Sequence, residues 1–115
     1  MRVIIAGSRE IKNPYEEVCT AVKASRLPMG VVISGGARGI DQAGERYAGA
    51  LGIPCEVFKA DWSKGRLAGF ARNGEMAQTA DALIAVWDGT SKGTWDMIVR
   101  MCKKGGPIYI HKVAQ

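Results

Sequence analysis

The chain has 115 residues, which is long enough for one domain with a buried core and short for two. Hydrophobic residues make up 47% of it, but the longest uninterrupted apolar stretch, residues 82–87, is far too short to span a bilayer. The first residues lack the apolar core and cleavage site of a secretory signal. We therefore expect a soluble, cytoplasmic protein that makes no contact with membranes.

The net charge is +5 at pH 7, which suits anionic partners, although a solvated lysine-rich helix face gives the same composition. Cys19, Cys55 and Cys102 are far apart and odd in number, which argues against a disulfide framework or a zinc knuckle and predicts reduced thiols in the core. His111 has no cysteine or acidic residue at ligand spacing, so we predict no metal site, no Ser-His-Asp triad and no cofactor.

Short apolar runs, most of them rich in β-branched residues, alternate with longer stretches of helical periodicity. In chain order they predict strand 3–6, helix 15–25, strand 31–34, helix 41–51, strand 55–58, helix 69–80, strand 83–87, helix 94–104 and strand 108–110. Continuous apolar strands that are each followed by a helix are typical of a parallel sheet covered on both faces. We predict a doubly wound α/β domain with about five parallel strands.

Proline and glycine residues stand where these elements should begin and end. Pro14 fits the first turn of the opening helix, and Asn13 is its expected cap. The least regular segment is residues 60–68, a charged stretch that contains Trp62. We consider this segment a candidate lid.

The most informative feature is the glycine-rich sequence SGGARGID at residues 34–41, between a predicted strand and a predicted helix. Glycines let the backbone approach an anion closely, and the start of the following helix offers unpaired N–H groups to the same place. Arg38 would add a planar cation. Because such loops also connect strands to helices where no ligand binds, this one predicts either a phosphate-binding loop or an ordinary connection.

Two further loops follow predicted strands and carry glycines, hydroxyls and cations: GSR at residues 7–9 and DGTSKGT at residues 88–94. Ligands of open parallel sheets bind outside the carboxyl ends of the strands, so we expect all three loops to share one rim and to bind an anion there. Their hydroxyls and arginines have an alternative role in helix capping and surface solvation. The predicted ligand-binding residues are Gly7, Ser8, Arg9, Ser34, Gly35, Gly36, Arg38, Gly39, Asp41, Asp88, Gly93 and Thr94.

Several other side chains near this rim have two interpretations each. Asp41 falls in the first turn of a predicted helix, where its charge favours the helix dipole, but it is equally placed to bind a ribose. Trp87 and Trp95 would either stack on a nucleobase or pack within the protein. Arg72 and Glu75 lie three residues apart on one helix face and form either a surface pair or a pair that faces the site.

Four sequences together, GSR at 7–9, SGGARGID at 34–41, RNGEM at 72–76 and WDGTSKGT at 87–94, resemble the YspA-like (cpYpsA-related) branch of the SLOG superfamily. The resemblance runs nearly from end to end. It implies a Rossmann-like fold and a relationship to Lonely Guy (LOG) phosphoribohydrolases, DprA/Smf DNA-binding proteins and sensors of NAD-derived nucleotides. It further implies a single SLOG-like nucleotide-binding domain over residues 1–115.

Lonely Guy enzymes cleave the N-glycosidic bond of nucleoside monophosphates with the arginine of an Arg-Lys-x-x-Met motif and the glutamate of a Gly-Gly-x-Gly-Thr-x-x-Glu motif. Arg72 and Met76 match the first motif, but Met97 stands at the glutamate position of the second. An oxocarbenium-like transition state is stabilised by a carboxylate, which methionine does not supply. In a hydrolase of this type, Glu75 or Asp96 would have to take that role.

Our leading interpretation from the sequence is a sensor or ligand-binding module that holds a nucleoside phosphate or an NAD-derived nucleotide at the strand rim. The alternative is an N-glycosidic hydrolase in which Arg72 orients the phosphoribosyl group and Glu75 or Asp96 stabilises the developing positive charge. Whether the protein is an enzyme stays open at this point.

A third interpretation is binding of single-stranded DNA in the manner of DprA, through a basic surface at the end of the last predicted helix. That surface would contain Arg100 and its neighbours Lys103 and Lys104. A homodimer is also possible for a member of this superfamily. Trp95, Met97 and Met101 would then form its apolar contact face, or they belong to the core.

Overall fold

The computed structural model describes residues 1–114. Across these residues, five strands and four α-helices alternate: β1 (Arg2–Gly7), α1 (Pro14–Ser25), β2 (Val31–Ser34), α2 (Ile40–Leu51), β3 (Cys55–Val57), α3 (Ala68–Thr79), β4 (Ala82–Trp87), α4 (Lys92–Lys104) and β5 (Ile108–Lys112). A short 3-10 turn, Trp62–Lys64, lies between β3 and α3. Every predicted strand and helix is present, with bounds that differ from the prediction by at most two residues.

The five strands form one sheet in the order β3-β2-β1-β4-β5, and all neighbouring pairs are parallel. The predicted doubly wound α/β fold is therefore confirmed. The chain builds outward from β1 to β3 and then returns to place β4 on the other side of β1. The strand order reverses between β1 and β4, so the loops that follow these two strands run to opposite faces and leave a crevice between them.

Two apolar cores cover the two faces of the sheet, because successive side chains of a strand point to opposite sides. In β1, Val3 and Ile5 pack with α1 and α2 on one face, whereas Ile4 and Ala6 pack with α3 and α4 on the other. All four side chains are buried. This double burial explains why the strands appear in the sequence as continuous apolar runs and do not alternate with polar residues.

One local expectation is wrong, and a second holds for position only. Cys19 is partly buried, but Cys55 and Cys102 are exposed, because Cys55 lies on the short edge strand β3 and Cys102 on the solvent side of α4. Asn13 occupies the cap position of α1, yet its left-handed backbone (φ 52°) does not bring its side chain onto the helix amides. Pro14 does lie in the first turn, as predicted. None of the helices in residues 1–114 is long and apolar enough to cross a membrane.

Candidate functional site

The loops that follow β1, β2 and β4 interlock at the carboxyl end of the sheet. At Gly7, a Cβ atom would lie 2.1 Å from the carbonyl oxygen of Val86, so only glycine fits between β1 and β4 there. The amide of Ser8 donates to the same oxygen at 3.1 Å, and the Ser8 hydroxyl accepts from the amide of Asp88 at 3.0 Å. Gly39 has a positive φ of 81° and approaches the backbone of Arg9. These contacts place the three loops at one rim, as the sequence predicts.

A narrow cleft of about 70 Å³ opens between these loops at the point where the strand order reverses. We call it the rim cleft. Five of the twelve predicted ligand-binding residues line it, as does the predicted catalytic Arg72, and the other seven do not. The rim cleft is lined by Ala6, Gly7, Arg9, Ala37, Asp41, Arg72, Asn73, Ser91, Gly93, Thr94 and Met97.

Arg72 reaches into the rim cleft from α3 and ties that helix to the glycine-rich loop. Its Nη1 donates to the carbonyl oxygen of Gly35 at 2.5 Å, and its Nε donates to Oδ1 of Asn73 at 3.1 Å. The side chain is half-buried, and this burial lowers the pKa of Arg72, with Arg9 adding to the effect and Asp41 opposing it. A partly desolvated guanidinium attracts an anion more strongly than one in open water.

Asp41 is a buried carboxylate on the wall of the rim cleft, with only 6% of its surface exposed. Its Oδ2 accepts from the amide of Ala37 at 3.3 Å. Burial raises the pKa of Asp41 to about 6, although the Ala37 amide and the Arg72 guanidinium act in the opposite direction. The carboxylate and Arg72 crowd Gly35, where a Cβ atom would lie 2.8 Å from both Asp41 Oδ2 and Arg72 Nη1.

Two amides of the glycine-rich loop are satisfied by side chains within the protein. The amide of Gly36 donates to the Ser34 hydroxyl at 3.1 Å, that hydroxyl donates to Oε2 of Glu45 at 2.7 Å, and the amide of Ala37 is taken by Asp41. The sequence analysis expected unpaired N–H groups at this place and did not anticipate these partners. Only the fold shows that Ser34 and Asp41 accept from the loop amides and that Glu45 accepts from Ser34.

Two larger cavities adjoin the rim cleft beneath residues 58–67, and Arg9 and Arg72 line both. The first, of about 270 Å³, we call the anion cavity; it is lined by Arg9, Gly35, Gly36, Ala37, Lys59, Ala60, Trp62 and Arg72. The second, of about 140 Å³, we call the aromatic cavity; it is lined by Arg9, Trp62, Arg66, Gly69, Phe70, Arg72, Asn73 and Gly93. Within residues 1–114 the exposed side chain of Arg9 has no hydrogen-bond or ion-pair partner.

Four of the predicted ligand-binding side chains interact within the chain and outside these cavities. Arg38 is exposed and pairs with Glu10. Ser8 and Ser34 are buried and bonded as described above. The Asp88 carboxylate accepts from the amides of Thr90 and Ser91, both at 2.8 Å, and these contacts hold its pKa below the usual range. These residues shape the loops, whereas Gly93 and Thr94 do line the rim cleft.

The three residues predicted for a hydrolase are not gathered at one point. Glu75 is exposed and lines a further cavity of about 270 Å³ together with Arg72. Asp96 accepts from Asn73 Nδ2 at 3.0 Å and from Arg100 Nε at 2.9 Å, and it faces a groove between α3 and α4. Met97, at the position of the family glutamate, is 1% exposed and lines the rim cleft.

The packing interpretation holds for the two tryptophans named above. Trp87 and Trp95 stack on each other, with ring centroids 5.6 Å apart and planes inclined by 18°, and neither lines the rim cleft or the two adjoining cavities. Met97 and Met101 are buried in the core on the α3 and α4 side of the sheet. Of the three residues considered for a dimer face, only Trp95 is exposed.

The family model of the YspA, cpYpsA-related SLOG family matches residues 1–65, a span that contains β1, the glycine-rich loop and Asp41. The chain belongs to this SLOG family. The gene 61 protein of Mycobacterium phage D29 is a relative, 36% identical over 116 residues, with 93% of this chain and 93% of the phage protein covered. No solved structure matches. Membership of the SLOG family indicates a nucleotide-related ligand.

Proposed function

We propose that this SLOG-family protein binds a nucleoside phosphate or an NAD-derived nucleotide at the carboxyl ends of its strands. The observation that carries the proposal is the convergence of Arg9 and Arg72 on the rim cleft, the anion cavity and the aromatic cavity. Arg9 has no partner among the described residues, and Lys59 adds a third cation to the anion cavity. Residues 1–115 then act as one nucleotide-binding domain.

In this proposal the phosphate lies in the anion cavity, beside Gly35 and Gly36, where the absence of side chains leaves room for it. Arg9 and Arg72 neutralise it with charge-assisted hydrogen bonds. Gly93 brings the first turn of α4 to the adjoining rim cleft and aromatic cavity, and the N-terminus of a helix favours an anion nearby. Asp41 is the one acidic side chain on the rim cleft and is placed to accept from a ribose hydroxyl.

Two arginines on neighbouring loops provide a matched test. Arg9→Ala should weaken the binding of nucleoside monophosphates, NAD, ADP-ribose or cyclic ADP-ribose isomers by roughly 10- to 100-fold, since a hydrogen bond to a charged group contributes about 1.5–3 kcal/mol. Arg38→Ala, which removes another exposed arginine that lies outside the cavities, should change affinity by less than about twofold. Isothermal titration calorimetry measures both.

Two results would contradict the proposal: wild-type protein that binds no member of the panel, and equal losses in the Arg9 and Arg38 variants. Thermal unfolding with each ligand gives an independent check, because a ligand at 100 times its Kd stabilises the folded state by about 2.7 kcal/mol.

Hydrolysis of the N-glycosidic bond is a second candidate function, favoured by the cavity that Arg72 and Glu75 share. Chromatography of nucleoside monophosphates after incubation would detect the released base. Glu75→Gln should then abolish release, and Asp96→Asn tests the carboxylate that Asn73 and Arg100 hold. Recovery of every ligand intact rejects this function and leaves the binding proposal standing.

A further inference from the structure

Trp62 is the only tryptophan that lines the anion cavity and the aromatic cavity. It begins the 3-10 turn between β3 and α3, and 55% of its surface is exposed. A single exposed apolar side chain is normal in a folded protein, so the case for Trp62 depends on what surrounds its ring.

The position of the Trp62 ring is set by contacts on both sides. Before it, the Asp61 carboxylate accepts from the amide of Ser63 at 3.2 Å, and the Asp61 carbonyl accepts from the amide of Lys64 at 3.0 Å, so the turn is closed locally. After it, a Cβ atom on Gly69 would lie 3.1 Å from Cη2 of Trp62, so the glycine lets the ring rest on the first turn of α3.

From this position the ring borders both the anion cavity and the aromatic cavity. The aromatic cavity combines Trp62 and Phe70 with the guanidinium groups of Arg9 and Arg66. Flat aromatic and guanidinium groups around one space are suited to a planar heterocycle, because both stack on the face of a base. The phosphate position proposed above is next to this space, since Arg9 and Arg72 line both cavities.

The other two tryptophans leave this role open to Trp62 alone. Trp87 and Trp95 stack on each other and line neither cavity. Trp95 is nevertheless 52% exposed, close to the value for Trp62. It therefore serves as a matched control for the loss of an exposed indole.

We infer that Trp62 is the stacking surface for the base of a bound nucleotide whose phosphate lies among Arg9, Arg72 and Gly35. This inference rests on the proposed function and deepens it, because it assigns the recognition of the base to the segment between β3 and α3. Stacking recognises any base face, so it supplies affinity for base-containing ligands and leaves the choice of base to polar contacts.

The test compares ribose 5-phosphate, which carries the phosphate without a base, with the nucleoside monophosphates of adenine, guanine, cytosine and uracil. Base–aromatic stacking is worth about 1–3 kcal/mol, so the tightest monophosphate should bind wild-type protein roughly 5- to 150-fold more tightly than ribose 5-phosphate. Trp62→Ala should remove that difference and leave the affinity for ribose 5-phosphate within about twofold. Trp62→Phe should keep most of it, and Trp95→Ala should keep all of it.

The outcomes separate the two proposals. If wild-type protein binds no monophosphate and none of NAD, ADP-ribose and the cyclic ADP-ribose isomers, the proposed function fails and the stacking inference fails with it. If only the NAD-derived ligands bind, ADP-ribose replaces the monophosphates in the comparison with ribose 5-phosphate. If the monophosphates bind but Trp62→Ala keeps the full difference, or loses affinity for ribose 5-phosphate to the same extent, only the stacking inference is overturned.

A fluorescence experiment tests the contact directly. In the double variant Trp87→Phe and Trp95→Phe, Trp62 is the one tryptophan left in the sequence. Its emission should be quenched by the monophosphates and unchanged by ribose 5-phosphate. Equal responses to both ligands would count against stacking.

Discussion

Asp41 shows how one residue of the glycine-rich sequence serves the fold at an energetic cost. Its carboxylate is buried, accepts from the Ala37 amide and lies beside Arg72, while Glu45 of the same helix repels it. Burial outweighs the favourable contacts and raises the pKa of Asp41 to about 6. In the folded protein Asp41 therefore keeps its proton up to about pH 6, whereas in the unfolded chain an ordinary aspartate loses it near pH 4.

The sign of the resulting pH dependence follows directly. Ionised Asp41 destabilises the folded state above pH 6, and protonation relieves this as the pH falls from about 6 to about 4. We expect Asp41→Asn to become more stable relative to wild type by on the order of 3 kcal/mol between pH 4 and pH 7.5, as measured by denaturant unfolding.

Asp88→Asn provides a control of opposite sign. Contacts from the Thr90 and Ser91 amides hold the pKa of Asp88 below its usual range, so its carboxylate stabilises the fold at neutral pH and loses this effect as the pH falls. The cost of Asp88→Asn should fade in acid. A stability difference between Asp41→Asn and wild type that does not change with pH would show that the pKa of Asp41 is not raised in the folded protein.

The sequence identified the arginines of the rim loops, but it did not show which of them face the cavities. Arg9 and Arg38 both follow glycines in predicted rim loops, yet only Arg9 lines the cavities, since Arg38 turns away to Glu10. Trp62 was noted in the sequence only as part of an irregular segment. The position of Trp62 at the cavities depends on the ring resting over Gly69. This contact joins residues of different elements, and no local sequence pattern encodes it.

Helices α3 and α4 are joined by a lysine that closes the end of α3. The Nζ of Lys104 donates to the carbonyl oxygens of Ala77 at 2.7 Å and Gln78 at 3.2 Å, and also to that of Ala80. These carbonyls end a helix and have no helical partners, and the negative end of the helix dipole attracts the ammonium. With Arg100 bonded to Asp96, two of the three basic residues considered for DNA binding are engaged within the chain.

We expect Lys104→Ala to lower the free energy of unfolding by about 1–2 kcal/mol, because it removes charge-assisted hydrogen bonds and leaves carbonyl groups without a partner. Lys103→Ala removes the same charge from the exposed neighbouring position and should change stability by less than about 0.5 kcal/mol. Urea unfolding of the two variants measures the difference. Equal effects would mean that net charge matters here and the cap does not.

The elements themselves were predictable because the central strands β1 and β4 are apolar on both faces and each helix buries one side against the sheet. Their ends were less so, since pairing partners extend them. β5 continues to Lys112 because that residue pairs with Trp87, and α4 begins at Lys92 because the Ser91 hydroxyl accepts from the Thr94 amide. Pairing and capping of this kind involve geometry that periodicity does not contain.

The whole molecule places its candidate site at one end of the sheet and its structural turns at the other. Loops after β1, β2 and β4 meet at the carboxyl end. At the opposite end, the amide of Gly30 donates to the Met1 carbonyl and the amide of Asp81 donates to the Arg2 carbonyl. The parallel direction of the strands explains this division, because all their carboxyl ends lie on one side of the sheet.

This division predicts the pattern of amide shifts in a nuclear magnetic resonance titration. A nucleotide ligand should shift the amides of Arg9, Gly36, Trp62 and Gly93 and leave those near Gly30 and Asp81 within experimental error. Shifts that concentrate at the Gly30 end would place the ligand on the wrong side of the sheet and contradict the proposed site.

The stacked pair Trp87 and Trp95 has an optical consequence. Two stacked indoles with centroids 5.6 Å apart couple their excited states, so the protein should show a paired exciton band in its circular dichroism spectrum. Trp87 ends β4 and Trp95 lies in the opening turns of α4, on either side of the loop that borders the rim cleft. Because the band depends on the distance and angle between the two rings, a change in it would report a movement of that loop without an attached label.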